Sequence, residues 1–233
     1  TGPLAEWTEG ALATPAHLFS IPARTQFLYW KDTSYRADAG FAGENPPDGA
    51  LVTYRLGVGS GDATLTIANA EGTVVRTLEV PARPGTHRVN WDLRWGLNRE
   101  ADRWERFEHD RLARPIEERG PLVSPGLYTV TLAARGTTST RTMEVRADPK
   151  TDLAIEEQWE RETFMVGLLE LQREIEDRLS SASGGQAADL RELERTVSGV
   201  FRSMNGSGVR QGTLHPPTRT QRDRIEEVRR ALR

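Results

Sequence analysis

The spacing of apolar residues changes once along this chain, and the change constrains the fold more than any other feature of the sequence. Between Ala50 and Val145, apolar and polar residues alternate over short runs that turn-forming residues separate, as in antiparallel strands. After Asp148-Pro149 the apolar residues recur at spacings of three and four, as on one face of a helix. The sequence therefore predicts an α+β protein whose strands precede its helices.

The alternation is clearest at Val89 and Trp91, which lie between the polar residues Arg88, Asn90 and Asp92. The same pattern predicts strands at Ala50–Leu56, Leu65–Ile67, Val74–Val80, Tyr128–Leu132 and Thr140–Val145. Arg135-Gly136 is expected to turn the last two strands into a hairpin. Short strands with frequent turns are typical of an antiparallel β-sandwich, and Trp91 is expected in its core.

Three amphipathic helices are predicted after the strands. The first begins near Ile155 and Trp159, both placed on its apolar face, and continues to Leu179. The second runs from Leu190 to Met204, and the third is capped by Thr218 or Thr220. We expect the first two to form an antiparallel hairpin along which the third returns, which gives a helical hairpin or a three-helix segment.

These patterns divide the chain into three parts. Residues 1–25 are expected to be an extended connector, rich in turn residues and anchored by apolar side chains: Trp7, Leu18, Phe19 and Ile21. Residues 26–149 form the sandwich, with a long charged insertion at 95–120, and residues 150–233 form the helical part. An insertion of that length is unusual in a compact domain and is often functional.

Composition excludes several classes of protein. The net charge of -3 gives no electrostatic basis for binding nucleic acid. The absence of cysteine excludes disulfides and Cys-based zinc sites. No window approaches the ~18 apolar residues of a membrane span. Because the chain starts at Thr1 and shows no leader, we expect it to be a piece of a longer protein.

Few motifs point to chemistry. Gly57-Val-Gly-Ser-Gly61 lacks the Lys-Ser/Thr ending of a phosphate loop and precedes a strand rather than a helix, so we interpret it as a hairpin turn. The four histidines lie far apart without metal-ligand spacing: His17, His87, His109 and His215. The sequence therefore predicts no metal, no cofactor and no catalytic residue.

Two groups of residues remain as candidates for a site. The first group is three carboxylates: Glu44, Asp48 and Asp92. A glycosidase could use them if they faced each other across a cleft. In turns, however, such side chains commonly accept hydrogen bonds from nearby backbone N–H groups. The aromatic residues in or beside the insertion are the better candidates, because planar rings stack on sugars or fill a partner's pocket: Trp95, Trp104 and Phe107.

Several segments resemble one known module. They are GENPPDGA at Gly43–Ala50, VVRTL at Val74–Leu78, VNWDLR at Val89–Arg94, GPLVSPGLYTVTL at Gly120–Leu132 and HPPTRTQ at His215–Gln221. Together they look like the C-terminal region of bacterial BNR-repeat proteins, also called sortilin-like or glycosyl-hydrolase-like, whose main body is a pair of β-propellers. The strand segments also resemble the immunoglobulin-like or fibronectin-III-like domains of flagellar hook-capping proteins.

The resemblance implies an exported protein, periplasmic or extracellular, in which this chain follows N-terminal β-propeller domains. Any hydrolase chemistry would belong to those propellers, so no catalytic residue is carried over. We therefore expect a non-catalytic accessory module. The alternative is a carbohydrate- or protein-binding module that uses the aromatic residues of the 95–112 excursion. An enzyme that uses Glu44, Asp48 and Asp92 is the third hypothesis.

Overall fold

The computed structural model describes residues 2–28, 48–59, 61–96, 119–206 and 211–233. These residues form two compact units. The first consists of 2–27, 48–59, 61–96 and 125–150, and the second of 28, 119–124, 151–206 and 211–233. Glu44, Trp104, Phe107 and His109 lie outside the described residues.

Among the described residues, the first unit contains two short helices and eight strands. The helices are α1 (Gly2–Ala5) and α2 (Glu9–Ala13), and the strands are β1 (Ala16–Leu18), β2 (Arg24–Thr25), β3 (Ala50–Leu56), β4 (Ala63–Ala68), β5 (Val74–Glu79), β6 (Gly85–Trp91), β7 (Gly126–Ala134) and β8 (Thr137–Arg146). The segment 1–25, predicted to be an extended connector, thus holds α1, α2, β1 and β2. Its predicted anchors Leu18, Phe19 and Ile21 are buried, whereas the fourth predicted anchor, Trp7, is 44% exposed.

The strands form two sheets. One has the order β1-β3-β6 and is antiparallel. The other has the order β2-β8-β7-β4-β5 and is antiparallel except for the short pairing of β2 with β8. Two sheets followed by helices confirm the predicted α+β class and are compatible with a sandwich.

Turn chemistry explains one connection and corrects another. Arg135 (φ 55°) and Gly136 (φ 72°) both have positive φ, the two-residue type I′ geometry that joins β7 to β8 as predicted. The hairpin predicted at Gly57–Gly61 is wrong, because β3 pairs with β1 and β6 whereas β4 pairs with β5 and β7. The glycine-rich segment carries the chain from one sheet to the other.

The core of the first unit follows the alternation seen in the sequence. Val52 and Tyr54 on β3, Leu65 on β4 and Val130 on β7 are all inaccessible to solvent. Trp91 on β6 is 1% exposed and its ring lies 5.4 Å from that of Tyr128 on β7, so the inner faces of the two sheets pack on each other. The prediction that Trp91 is a core residue is confirmed.

The second unit is built from α3 (Ile155–Ser181), α4 (Gly184–Asn205) and α5 (Arg219–Ala231). Arg161 on α3 contacts Met204 at the end of α4, and Gln172 contacts Ser198, so α3 and α4 run antiparallel as predicted. Thr218 caps α5 with its side chain and forms a capping box with Gln221. Helix α5 returns along α4, since its Gln221 bonds Ser203 near the end of α4.

Helix α3 corrects one predicted core residue. Trp159 is 51% exposed, so its assignment to the packed face is wrong. The buried line of α3 instead includes Gln158, Arg161 and Met165. The apolar spacing places Leu168, Leu171 and Ile175 correctly in the core, but it fails at the start of the helix, where a buried glutamine and arginine occupy the inner positions.

Within the ranges that the structure describes, no helix combines the length and the apolar character that a bilayer crossing requires.

Candidate functional site

A group of aromatic and charged side chains lies where the segment after α1 meets β1 and β8. We call Glu6, Trp7, His17, Phe19 and Arg141 the Trp7 cluster. The rings of Trp7 and Phe19 are stacked, with centroids 5.7 Å apart and planes inclined by 22°. The His17 ring meets Phe19 edge-on at 4.7 Å. Phe19 is buried while Trp7 is 44% exposed, so the indole stacks on a buried ring and keeps part of its surface in solvent.

Glu6 is the polar centre of the Trp7 cluster. Its Oε1 accepts a hydrogen bond of 2.9 Å from the backbone N–H of Ser20. Its Oε2 lies 3.8 Å from Nε2 of His17 and 3.8 Å from a guanidinium nitrogen of Arg141. Those two distances are within ion-pair range but too long for direct hydrogen bonds. The three side chains therefore converge without filling each other's hydrogen-bonding capacity.

The charges of the Trp7 cluster follow from its surroundings. Burial acts to raise the pKa of the Glu6 carboxyl, but hydrogen bonds from Ser20 and the positive charge of Arg141 outweigh it and lower that pKa. Burial lowers the pKa of His17, helped by the charges of Arg141 and Arg55 and opposed by Glu6. At neutral pH the cluster thus has an anionic Glu6, a neutral His17 and a cationic Arg141.

Regular structure positions each member of the Trp7 cluster. Thr8 caps α2 by accepting from the N–H of Ala11, which fixes the chain just after Trp7. Strand β1 pairs with β3, with His17 opposite Arg55. The N–H of Leu18 donates to Oγ of Ser139 at 3.1 Å, which ties β1 to β8 beside Arg141.

Other charged side chains bind backbone groups. Arg135 donates from one guanidinium nitrogen to the carbonyl of Gly57 and from the other to the carbonyl of Ala82 at 2.7 Å. Arg76 donates to the carbonyl of Trp95 at 3.2 Å. These side chains hold connections between strands and satisfy carbonyls that lie outside the sheet ladders.

The helical unit uses charged groups in the same way. Arg161 is 2% exposed and donates to the carbonyls of Thr213 at 2.6 Å and Met204 at 3.4 Å. The carboxylate of Glu162 accepts from the backbone N–H of Ser124 at 2.9 Å. Arg161 thus adds a second hydrogen bond to a carbonyl of the last turn of α4, which also accepts from the backbone N–H of Thr213.

The predicted aromatic site is only partly within the described residues. Trp95 is half-buried, and its carbonyl is held by Arg76. Trp104 and Phe107 lie outside the described residues, so a binding surface formed by the three stays a prediction.

The predicted carboxylates are likewise divided. Ala50 pairs with Trp91, which brings Asp48 and Asp92 to the same end of the β3–β6 pair. The carbonyl of Asp48 accepts a 2.6 Å hydrogen bond from the side-chain amide of Asn90. Glu44, the third member of the predicted group, is not among the described residues.

Histidines in the described ranges lie in separate surroundings. His87 is hydrogen-bonded through Nε2 to the carbonyl of Arg83 at 2.8 Å and lies against Tyr54. His17 belongs to the Trp7 cluster, and His215 is exposed. Across the described ranges, no three His, Cys, Asp or Glu side chains are grouped so that they could hold a metal ion.

The sequence interpretation did not identify the Trp7 cluster or the backbone contacts of Arg135 and Arg161. Glu6 and Arg141 are far apart in the chain, and only the contact of β1 with β8 brings them together. The available signal was Trp7 itself, an aromatic residue within a segment otherwise rich in turn residues.

Comparisons with known proteins identify no family. No family model matches the chain, and no curated protein matches it. Among solved structures, CopC from Methylosinus trichosporium OB3b is 16% identical, with a TM-score of 0.22, over 45% of this chain and 80% of that one. The apo β-glucuronidase from Ruminococcus gnavus is 10% identical, with a TM-score of 0.21, over 93% of this chain and 41% of that one. At these TM-scores neither likeness identifies the fold or the function.

Proposed function

We propose that this chain is a non-catalytic accessory module of a larger exported β-propeller protein. In this proposal the two sheets are an immunoglobulin-like or fibronectin-III-like sandwich, and the helices complete the module. The partners are the N-terminal propeller domains of the same polypeptide. The resemblance of Val89–Arg94 and Gly120–Leu132 to the C-terminal region of BNR-repeat, sortilin-like proteins supports this role.

One observation carries the proposal: charged side chains in the described residues bind the backbone of turns and chain ends. Arg135 holds two connections of the first unit, and Arg161 holds the end of α4. Arg178 donates to the carbonyl of Leu232 at 2.5 Å, near the end of the chain. Such contacts limit the movement of connections, which is what a module that orients neighbouring domains requires.

The first experiment measures the size and the compartment of the native polypeptide. An antibody raised against the purified chain is used to probe cytoplasmic, periplasmic and extracellular fractions of the source cells. We expect a band far larger than the 26.0 kDa of this chain in an exported fraction. A band of about that mass confined to the cytoplasm would overturn the proposal.

A second experiment addresses the enzyme alternative directly. The purified chain and Asp92→Asn are incubated with a panel of nitrophenyl glycosides, and released nitrophenol is followed by absorbance. We expect no turnover above the buffer rate for either protein. Asp92 is chosen because it lies at the same end of the β3–β6 pair as Asp48. If the chain releases nitrophenol and Asp92→Asn does not, the non-catalytic role is contradicted.

A further inference from the structure

We propose that the Trp7 cluster is a binding site for a neutral oligosaccharide. The proposal goes beyond an accessory role, because it gives the module a ligand of its own. It also moves the expected binding surface from the insertion at 95–120 to the junction of the α1–α2 segment with β1 and β8. The members of the site are Glu6, Trp7, His17, Phe19 and Arg141.

The first step is the presentation of Trp7. An indole that only completes a core is covered on both faces, whereas Trp7 keeps 44% of its surface exposed. Phe19 supports it from below at 5.7 Å and is itself 1% exposed, so the indole plane is set by a buried residue. The C–H groups on one face of a pyranose ring carry partial positive charge and are attracted to the negative face of such a ring.

The second step is the pair of charged groups in the same cluster, Glu6 and Arg141. A sugar hydroxyl both donates and accepts, so it suits a place where an acceptor and a donor are close together. Oε2 of Glu6 and the guanidinium of Arg141 are 3.8 Å apart, and the two side chains are 29% and 37% exposed. A hydroxyl oxygen to one side of the pair, about 2.8 Å from each atom, can donate to Glu6 and accept from Arg141.

The third step concerns the charge of the ligand. Glu6 is ionised at neutral pH and lies beside Trp7 in the chain, so a carboxylate on the sugar would approach a like charge. The carboxylate of Glu6 partly offsets the positive charge of Arg141, so Arg141 attracts an anionic ligand less strongly. Glu6 and Arg141 together carry no net charge, so the pair gives a uronate no electrostatic advantage over a neutral sugar, which loses less hydration on binding.

The fourth step is rigidity. His17 and Phe19 belong to β1 or its immediate end, and Arg141 to β8. The backbone N–H of Leu18 donates to the side-chain hydroxyl of Ser139, and the backbone N–H of Ser20 donates to the carboxylate of Glu6. These two hydrogen bonds hold β1, β8 and the α1–α2 segment together. A site whose members are fixed before binding loses little conformational freedom on binding.

The experiment uses the full 233-residue chain and four variants. Tryptophan fluorescence and calorimetry follow titration with cellohexaose, hexa-N-acetylchitohexaose, xylohexaose, mannohexaose, maltohexaose and laminarihexaose, with hexagalacturonate as the acidic comparison. Trp7→Ala and Arg141→Met remove the two contacts. Trp7→Phe keeps a ring. Trp159→Ala is the matched control, because Trp159 is 51% exposed but belongs to the helical unit.

We expect at least one neutral hexasaccharide to bind with a Kd of about 1 mM or tighter, and hexagalacturonate to bind more weakly. Trp7→Ala should weaken binding at least about tenfold, Arg141→Met by several fold and Trp7→Phe less than Trp7→Ala, while Trp159→Ala should match the unmodified chain. Circular dichroism of each variant establishes that it is folded, and Trp7→Phe keeps the test valid if Trp7→Ala is not.

Three results would overturn the proposal. The first is no binding of any of the six neutral sugars. The second is an unchanged Kd in Trp7→Ala, or an unchanged Kd in both Trp7→Phe and Arg141→Met. The third is an equal loss in Trp159→Ala, which would show that the response does not come from the Trp7 cluster.

Discussion

The buried guanidinium of Arg161 gives the sharpest test of how the helical unit is held together. We expect Arg161→Met to lower the free energy of unfolding of that unit, since methionine fills much of the same space but donates no hydrogen bond. Arg161 is 2% exposed, so water does not replace the lost donor.

The magnitude follows from the two carbonyls that Arg161 contacts. The Thr213 carbonyl loses a short 2.6 Å bond to a charged donor, which contributes about 1.5–3 kcal/mol. The Met204 carbonyl loses a longer 3.4 Å bond but still accepts from the N–H of Thr213 at 2.9 Å, so its loss is small. Removing a cation from the end of α4 adds about 0.3–1 kcal/mol. We therefore expect Arg161→Met to cost about 2–4 kcal/mol.

Urea unfolding followed by circular dichroism at about 222 nm reports mainly on the three helices. With a slope of about 2 kcal/mol per molar urea, the expected loss moves the midpoint down by roughly 1–2 M. Arg161→Lys keeps the charge but not the planar fork, so its midpoint should lie between those of the unmodified chain and Arg161→Met.

Arg222→Met is the matched control, because Arg222 is also a helix arginine but pairs with Glu160 on the surface. An exposed ion pair contributes about 0–1 kcal/mol, so this midpoint should change little. If Arg161→Met shifts the midpoint no more than Arg222→Met does, the buried guanidinium does not stabilise the end of α4 and the reasoning fails.

Three further perturbations test the first unit. Gly49→Ala should lower the free energy of unfolding by more than about 3 kcal/mol, because Gly49 has φ +104° and a Cβ there would lie 2.1 Å from the carbonyl oxygen of Trp91. Gly72→Ala is the control: Gly72 has φ +81° but no neighbour within 4 Å of a Cβ, so the loss should be about 1–2 kcal/mol. Urea midpoints compare the two variants. Trp91→Phe should lower the free energy of unfolding by about 2–3 kcal/mol, because it removes the 3.0 Å hydrogen bond from the Trp91 indole N–H to the carbonyl of Arg94 and leaves a cavity. Trp159→Phe is the control, and equal losses for the two variants in urea unfolding would contradict this reasoning. Because the pKa of His17 is lowered in the folded protein, the unfolded chain binds more protons than the folded one, so the free energy of unfolding should fall as the pH drops below about 6.5. Melting temperatures measured between pH 7.5 and 5 should fall less in His17→Gln than in the unmodified chain. Arg141, Arg55 and Glu6 are the charges that face His17, and an unchanged fall in the variant would assign the pH dependence to other groups.

The sequence predicts well the elements whose local pattern matches their surroundings. The sequence predicts strand β3 with the bounds that the structure has, Ala50–Leu56, because its side chains alternate between the core and the other face. The third helix begins after Thr218, where a hydroxyl followed three residues later by Gln221 gives a local start signal. In both cases the information lies within a few residues.

The sequence predicts poorly whatever depends on pairing between distant segments. The turn at Gly57–Gly61 has the composition of a hairpin, but the partners of β3 and β4 decide that the chain changes sheets there. Apolar spacing places Trp159 on the buried face of α3 and Arg161 on the surface, whereas hydrogen bonds to the carbonyls of Thr213 and Met204 make the burial of Arg161 favourable. Neither fact can be read from residues nearby.

The Trp7 cluster and the Arg161 contacts illustrate two different uses of charge within one chain. Arg161 donates to backbone carbonyls in a place closed to water, so its role is complete without a ligand. Glu6 and Arg141 are partly exposed and lie 3.8 Å apart in the same cluster as Trp7, which is 44% exposed, so their capacity for hydrogen bonding is not exhausted by each other. Substitution at Arg161 should therefore change stability, whereas substitution of Trp7 should change binding first. That difference separates a structural module from one that also recognises a ligand.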